Sequence, residues 1–321
     1  MTTPGHPFTF ACPRCHTLLT WNAPGELCCP QEGRVYARQD GIWRFLDGEG
    51  EAFYGRFMRE YETIRQAEGR GIPRAAYYRA LPDQDLSGRF VTDWRVRRAS
   101  FRAFIDGVLE PLTNEGAKTL KILDLGAGNG WLSNRLAGYG HSLAAIDLST
   151  SELDGLGAYI HYANPFVLAQ ADFDHIPIAD GDVDLVIFNA SLHYSTNYER
   201  TLREALRVLS PGGQVVILDT PVYRAAASGD QMVREREALF QQRYGFPSNA
   251  IPSENYLTYQ RLDALADRLG LRWETFAPRY ELRWRLRRWI ARLRSGRELA
   301  RFLVITGQRR DAPGDTSMIE P

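Results

Sequence analysis

An apolar strand that runs directly into three closely spaced glycines constrains this chain more than any other feature. The strand pattern ends at Leu125, the glycines are Gly126, Gly128 and Gly130, and the following residues read as a helix start. A strand, a tight glycine turn and a helix form the corner at which α/β sheets bind nucleotides. Glycine is needed in such a turn because a Cβ atom would keep the backbone away from the ligand. The segment therefore predicts a nucleotide-binding α/β domain.

The spacing of these glycines indicates which kind of nucleotide is bound. A dinucleotide fingerprint has the spacing G-x-G-x-x-G, which fails here because position 131 is tryptophan. Asp124, just before the turn, fits a pyrophosphate poorly and a cationic ligand with an amino-acid tail better. The segment resembles motif I of the class I S-adenosylmethionine (SAM) dependent methyltransferases, with a core similar to that of the type 11 members. The resemblance implies cofactor contacts from Asp124, Gly126, Ala127, Gly128, Asn129 and Gly130.

Two later acids extend the predicted cofactor site. Asp147 ends an apolar strand about 20 residues after the glycines, where a carboxylate can accept hydrogen bonds from both ribose hydroxyls. In the family the next strand ends with an acid that reaches the adenine amino group, and Asp172 matches it, with Phe173 placed near the ring. The alternative for either aspartate is a cap or turn residue. Leu148 and Asn189 complete the predicted contacts.

The order of the remaining segments predicts the fold class. After the strand at 183–189 come a helix, the turn Ser-Pro-Gly-Gly at 210–213 and a fifth apolar strand. The resemblance implies an α/β fold: a Rossmann-like, doubly wound, seven-stranded mixed sheet with helices on both faces. A small N-terminal ribbon and a helical lid are expected in addition. The predicted divisions are a ribbon at 1–48, a helical lid or linker at 49–112, the methyltransferase domain at 113–310 and a flexible tail at 311–321.

All four cysteines lie within the first 29 residues, in a segment that resembles the zinc-ribbon modules of some methyltransferases. Cys12 and Cys15 form a C-x-x-C pair that can place two thiolates on one metal. In the resemblance the third ligand is Cys29 and the fourth falls on Glu32. Cys28 and His16 are alternative fourth ligands. The predicted structural Zn²⁺ site comprises Cys12, Cys15, Cys29 and Cys28, and Glu32 is the alternative to Cys28. The other possibility is a ribbon that has lost its metal and is held by its own small core.

The helices at 49–112 and an insertion at 221–255 are expected to shape the pocket for the methyl acceptor. Tyr77, Tyr78, Trp94 and Arg97 are candidates for lining that pocket, although packing is the alternative for each. A basic amphipathic segment at 284–294 can rest on an anionic membrane or on phosphates, or it is an ordinary surface helix.

Methyl transfer from a sulfonium is a direct displacement, so a dedicated catalytic residue is optional. His193, just past the fourth strand of the domain, is the candidate catalytic base for an acceptor hydroxyl. The residues from Asn189 onward do not form the Asn-Pro-Pro-aromatic motif of exocyclic base methylation. No cysteine lies in the catalytic domain, which disfavours 5-methylcytosine chemistry.

These observations predict a SAM-dependent methyltransferase that transfers a methyl group to oxygen or carbon of a small molecule. One alternative is a ribosomal or transfer RNA methyltransferase that grips RNA through the ribbon. Another is a non-catalytic SAM-binding protein. A net charge of zero does not indicate a wholly basic nucleic-acid binder. The sequence has neither a run of 18 apolar residues nor a signal-peptide pattern, so a cytoplasmic location is expected.

Overall fold

The computed structural model describes residues 7–113, 118–280 and 297–310. These residues contain fourteen strands and eight α-helices. The strands are β1 (Thr20–Ala23), β2 (Glu26–Cys28), β3 (Val35–Gln39), β4 (Ile42–Arg44), β5 (Lys121–Leu125), β6 (Ser142–Asp147), β7 (Val167–Gln170), β8 (Val183–Asn189), β9 (Leu209–Leu218), β10 (Pro221–Tyr223), β11 (Leu257–Thr258), β12 (Leu271–Phe276), β13 (Arg301–Phe302) and β14 (Val304–Arg309). The helices are α1 (Gly48–Glu68), α2 (Ala75–Ala80), α3 (Val91–Phe104), α4 (Glu110–Thr113), α5 (Trp131–Gly138), α6 (Tyr198–Val208), α7 (Ala226–Tyr244) and α8 (Tyr259–Leu269).

The predicted fold class is confirmed by the order and direction of the core strands. The order β7-β6-β5-β8-β9-β14-β12 contains seven strands, of which β14 runs antiparallel to both of its neighbours. Parallel pairing joins the five strands from β7 to β9. In an open sheet of this kind the ligand crevice lies at the carboxyl ends of the strands, where the order reverses. That point falls between β5 and β8, directly above the glycine turn.

Alternating side chains divide the core between the two faces of the sheet. In β5, Leu123 and Leu125 belong to the hydrophobic cluster that includes α6 and α8, whereas Ile122 belongs to the cluster that includes α3 and α5. Successive residues of a strand point to opposite faces, so a strand covered on both sides is apolar at nearly every position. This explains why the predicted core strands read as continuous apolar runs.

The N-terminal ribbon is joined to this sheet and does not stand apart from it. Strand β4 pairs in parallel with β7, with Trp43 opposite Ala169, and β1, β2 and β3 continue outward. The sheet therefore has eleven strands, four more than the predicted seven. Since β7 would otherwise be an edge strand with unpaired backbone groups, β4 satisfies them and buries Trp43.

Side chains of α1 and α3 line the crevice at the carboxyl ends of the core strands, whereas α2 packs Tyr77 and Tyr78 into the core. Asp47 caps α1 by accepting a hydrogen bond from the Gly50 amide at 2.9 Å, and Gly69 ends the helix with a φ of 70°. A π-helical turn at Ile105–Leu109 continues α3 into α4.

An insertion follows β9 and contains β10, α7 and β11. Strands β11, β10 and β13 form a second, three-stranded sheet. The predicted basic segment at 284–294 and the predicted tail at 311–321 lie outside the described residues. No helix in the described ranges has both the length and the apolar content needed to cross a lipid bilayer.

Candidate active site

A crevice opens between the glycine turn and the helices that cover it. Most of the predicted cofactor-contact residues line it, together with side chains from α1, α3 and the insertion. The predicted residues that line the crevice are Gly126, Ala127, Gly128, Asn129, Asp147, Leu148, Asp172, Phe173 and Asn189. Asp124, Gly130 and His193 are not among its lining residues.

The glycine turn is possible only without side chains at its tightest points. Gly126 and Gly128 have φ angles of 74° and 55°, in the left-handed region that disfavours other residues. A Cβ atom on Gly126 would lie 2.3 Å from the Cβ atom of Ser191. The amides of Gly126 and Ala127 donate to the Ile146 carbonyl oxygen at 2.8 and 3.1 Å, which ties the turn to β6.

Asp147 is oriented by two backbone amides. Its Oδ2 accepts from the Gly128 amide and its Oδ1 accepts from the Ser149 amide, both at 2.8 Å. Burial raises the pKa of this carboxyl group to about 6, although the two amide hydrogen bonds oppose the rise. Each carboxylate oxygen has a second lone pair, so the ionised group can still accept hydrogen bonds from a ligand.

Asp172 is held at the edge of the crevice by its own turn. Its Oδ1 accepts from the Asp174 amide at 2.7 Å, and His175 Nδ1 lies 2.9 Å from its Oδ2. The hydrogen bond with Asp172 raises the pKa of His175. Asp172 is thus both a turn residue, as the alternative interpretation holds, and a lining residue of the crevice.

Asp124 occupies a different position from the one predicted. It lies buried beneath the glycine turn, where Ser133 Oγ donates to its Oδ2 at 2.8 Å and its Oδ1 has no hydrogen-bond partner. Burial raises the pKa of this carboxyl group to about 7. Gly130 also faces away from the crevice, towards the rings of Phe166 and Tyr162.

His193 lies behind the crevice wall. Its ring centroid is 4.4 Å from that of Tyr194, which does line the crevice. Burial, together with the nearby charges of Arg236 and Arg97, lowers the pKa of His193 to about 3. The imidazole is therefore neutral at pH 7 but is a weak acceptor of protons, and its role as catalytic base stays a prediction.

Aromatic and apolar side chains also line the crevice. They are Tyr54, Phe57, Met58, Tyr61, Trp94, Trp131, Tyr194 and Ile251. Of the residues predicted to line the acceptor pocket, Trp94 and Arg97 do so. Tyr77 and Tyr78 are buried in the core instead, where the Tyr78 hydroxyl donates to the Leu153 carbonyl oxygen at 2.8 Å.

An ion pair that the sequence did not indicate connects α1 to the cofactor side of the crevice. Arg65 Nε lies 2.8 Å from Asp154 Oδ2, and Asp154 Oδ1 lies 3.5 Å from Asn129 Nδ2. These residues are far apart in sequence and belong to no recognisable motif. The helical spacing of the aromatic residues in α1 was the available signal for the covering helix.

Comparison with known proteins identifies the core. Residues 123–217 match the family model described as a methyltransferase domain. This segment contains the glycine turn, Asp147, Asp172, β6 to β8 and most of β5 and β9. The segment is similar to methyltransferase domains.

Relatives of the methyltransferase domain act on chemically diverse compounds, according to their names. An arsenite methyltransferase of Aquipseudomonas alcaligenes is 29% identical over 44% of this chain and 42% of its own length. A malonyl-[acyl-carrier protein] O-methyltransferase of Geobacter sulfurreducens is 30% identical over 47% of this chain and 55% of its own length. The chain thus spans about half the length of these curated relatives. Among solved structures, a putative sarcosine dimethylglycine methyltransferase from Galdieria sulphuraria has 19% identity and a TM-score of 0.48, covering 67% of this chain and 87% of that one.

A second cluster of reactive side chains lies in the ribbon, outside the methyltransferase domain. One ligand atom from each of Cys12, Cys15, Cys29 and Glu32 lies within 4.8 Å of all the others. Cys28 does not belong to this group, and its Sγ lies instead 3.6 Å from the Cys29 carbonyl oxygen. Adjacent residues at the end of β2 point in different directions, so only one of the two cysteines can face the cluster. Three thiols and a carboxylate are donors that suit tetrahedral Zn²⁺.

Proposed function

We propose that the whole chain is a SAM-dependent methyltransferase that acts on a small-molecule acceptor. The proposal is carried by the crevice, whose lining combines the predicted cofactor-contact residues of the glycine turn and the strand ends with a set of aromatic side chains. In the proposed complex Asp147 accepts hydrogen bonds from the ribose hydroxyls and Asp172 accepts one from the adenine amino group. The glycine turn allows the backbone to approach the amino-acid tail of SAM. When bound, SAM supplies an electrophilic methyl group.

The protein's own contribution is to orient the reactants and exclude water. Helix α1 covers the crevice with Phe57 and Tyr61, whose rings lie 5.8 and 6.2 Å from that of Tyr194. An apolar, covered acceptor pocket favours a direct displacement because it holds the nucleophile in line and keeps water out. The names of the relatives, which include a ubiquinone/menaquinone biosynthesis C-methyltransferase of Haemophilus ducreyi, support a small-molecule acceptor.

Calorimetry with S-adenosylhomocysteine tests the cofactor assignment. We expect Asp147→Ala to weaken binding at least about tenfold, since hydrogen bonds to a charged group contribute about 1.5–3 kcal/mol each. Asp172→Asn should weaken it less, because the amide retains one oxygen acceptor. Asp180→Asn, in the same acid-rich stretch but exposed and paired with Arg207, is the matched control. Binding by the wild-type protein should also weaken below pH 6 as Asp147 becomes protonated.

Binding of SAM or S-adenosylhomocysteine, compared with binding of a nicotinamide dinucleotide, decides whether the crevice is a SAM site. No heat with SAM or S-adenosylhomocysteine, together with affinity for a nicotinamide dinucleotide, would refute the assignment. Incubation with labelled SAM and separate RNA, protein and metabolite extracts would then distinguish a small-molecule acceptor from RNA, the alternative use of the ribbon.

The prediction that His193 is the catalytic base for an acceptor hydroxyl can be tested by substitution, although the imidazole lies behind the crevice wall. His193→Ala should lower turnover and leave the affinity for S-adenosylhomocysteine unchanged, because the imidazole does not line the crevice. Unchanged turnover would remove this role.

We also propose that the ribbon binds one structural Zn²⁺ through Cys12, Cys15, Cys29 and Glu32. The proposal depends on the convergence of these four side chains, none of which lines the crevice, and the metal would stabilise the ribbon.

A further inference from the structure

Two arginines, one of which lines the crevice, form no ion pair with a carboxylate among the described residues. Arg97, on α3, lines the crevice, and its guanidinium carbon lies 5.0 Å from the centroid of the Trp94 ring. Arg236, on α7, does not line the crevice, and its buried Nε has no hydrogen-bond partner among the described residues. Among the described residues neither arginine forms an ion pair, whereas Arg65 is paired with Asp154 and Arg70 with Glu68.

Both arginines influence the same imidazole. His193, whose Nδ1 is also buried without a partner, responds to the charges of Arg236 and Arg97 and to no acid. Two carboxylates, those of Asp219 and Asp154, act on Arg97. Asp219 accepts a hydrogen bond from Ser100 Oγ at 2.6 Å and forms no ion pair with any described residue. The charges of both guanidinium groups thus act on one buried imidazole beside the crevice, and Arg236 Nε and His193 Nδ1 have no hydrogen-bond partner among the described residues. Leaving such groups unsatisfied is costly, so a region of this kind is suited to an anion.

We propose that Arg97 and Arg236, beside His193, bind an anionic group of the methyl acceptor. The acceptor is then a small acid, with an apolar body against Phe57, Tyr61 and Trp94 and a carboxylate or phosphate against the arginines. This inference rests on the proposed function, because it concerns the acceptor half of the same crevice.

The distribution of charge supports the acceptor, and not the cofactor, as the source of this anion. The proposed adenosine side of the crevice carries the acids Asp147, Asp154, Asp172 and Asp174. Arg236 belongs instead to the insertion after β10, whose residue Ile251 lines the crevice. A guanidinium has a planar set of donors that matches carboxylate and phosphate oxygens, and it stacks on aromatic rings as Arg97 does on Trp94.

Binding of simple acids tests the proposal through the tryptophan fluorescence of the full chain. The probes are benzoate, hexanoate and phenyl phosphate, with benzamide, hexanamide and phenol as uncharged counterparts. Each is titrated with and without saturating S-adenosylhomocysteine. We expect at least one acid to bind about tenfold or more tightly than its counterpart, and Arg97→Gln and Arg236→Gln each to reduce that preference about tenfold or more. Arg97→Lys should retain part of the preference because it keeps the charge.

Arg234→Gln is the matched control, since Arg234 is an exposed arginine on the same helix as Arg236. It should leave the preference unchanged, and thermal melting of every variant identifies any that fails to fold. Three results would overturn the proposal: equal binding of the acids and their counterparts, a preference that survives in both glutamine variants, or displacement of the acids by S-adenosylhomocysteine. The last result would assign the anion to the cofactor's own carboxylate. Calorimetry with S-adenosylhomocysteine alone reports separately on the proposed function.

Discussion

Asp124 shows how a single buried carboxyl group can stabilise a turn and make stability depend on pH. Its pKa is about 7 in the folded protein because burial disfavours the charged form, whereas its ordinary value is 3.8. The folded state therefore binds a proton more tightly than the unfolded state. The contribution of this group to the free energy of unfolding is fully present below about pH 4 and is lost as the pH rises towards 7.

Replacing this carboxyl group with an amide should remove its part of the pH dependence. Asp124→Asn keeps an oxygen that can accept the Ser133 hydrogen bond but cannot ionise. We expect the variant to gain thermal stability relative to the wild-type protein between pH 5 and pH 8, by up to a few kcal/mol, at about 1.4 kcal/mol for each tenfold change in proton affinity. Melting curves of both proteins across this range measure the difference. A difference that does not change with pH would contradict the argument.

At the level of residues, site residues that come at the end of a strand could be predicted from the sequence. Residues that meet only because two distant elements pack together could not. Asp147 and Asp172 could be placed in the crevice because each follows an apolar strand at the same edge of the sheet. The pair Arg65 and Asp154 could not, because its 2.8 Å contact depends on how α1 packs over the sheet. The motif predicts that Asp124 contacts the cofactor, but its side chain lies beneath the turn. A position in a motif does not reveal which way a side chain points.

At the level of elements, the strand–turn–helix unit of β5 and α5 depends on a glycine that no other residue can replace without cost. In Gly126→Ala the new Cβ atom would meet Ser191, whose hydroxyl donates to the Leu125 carbonyl oxygen at 2.5 Å. Gly140→Ala is a matched control, since Gly140 also has a positive φ, 89°, but a Cβ atom there would have no neighbouring atom within 4 Å.

We expect Gly126→Ala to lower the free energy of unfolding by about 1–3 kcal/mol more than Gly140→Ala does. Both variants carry the backbone strain of alanine at positive φ, so the difference isolates the steric overlap. Urea denaturation measures the stability, and calorimetry should show weaker binding of S-adenosylhomocysteine by Gly126→Ala alone. Equal effects of the two substitutions would mean that the turn tolerates a side chain.

The ends of elements were harder to predict than their existence. The sequence pattern predicts a helix at 256–269, but α8 begins at Tyr259 because the Thr258 side chain caps it and Leu257–Thr258 pairs with β10. Strand β9 begins at Leu209, before the predicted turn at 210–213. In both cases pairing with a distant strand changed a boundary that local residue preferences had suggested.

At the scale of the whole molecule, the ribbon is part of the central sheet although its sequence indicated a separate module. Pairing of β4 with β7 joins segments that are more than 100 residues apart, and no local pattern encodes that register. The same connection links the metal cluster mechanically to the sheet that carries Asp147. Cys29 lies beyond the end of β2, which pairs with β3, which in turn pairs with β4.

Metal removal should therefore affect the methyltransferase domain as well as the ribbon. We expect one zinc per chain in the wild-type protein and in Cys28→Ser, little or none in Cys29→Ser, and weaker retention in Glu32→Gln, because Glu32 and not Cys28 completes the cluster. Elemental analysis after dialysis against a chelator measures the metal.

Since structural zinc contributes directly to folding, the chelated protein should melt at a lower temperature, and loss of β4 should expose β7. Hydrogen exchange should then increase in β7 as well as in the ribbon. Loss of zinc with no change in β7 would show that the two parts fold independently, despite the shared sheet.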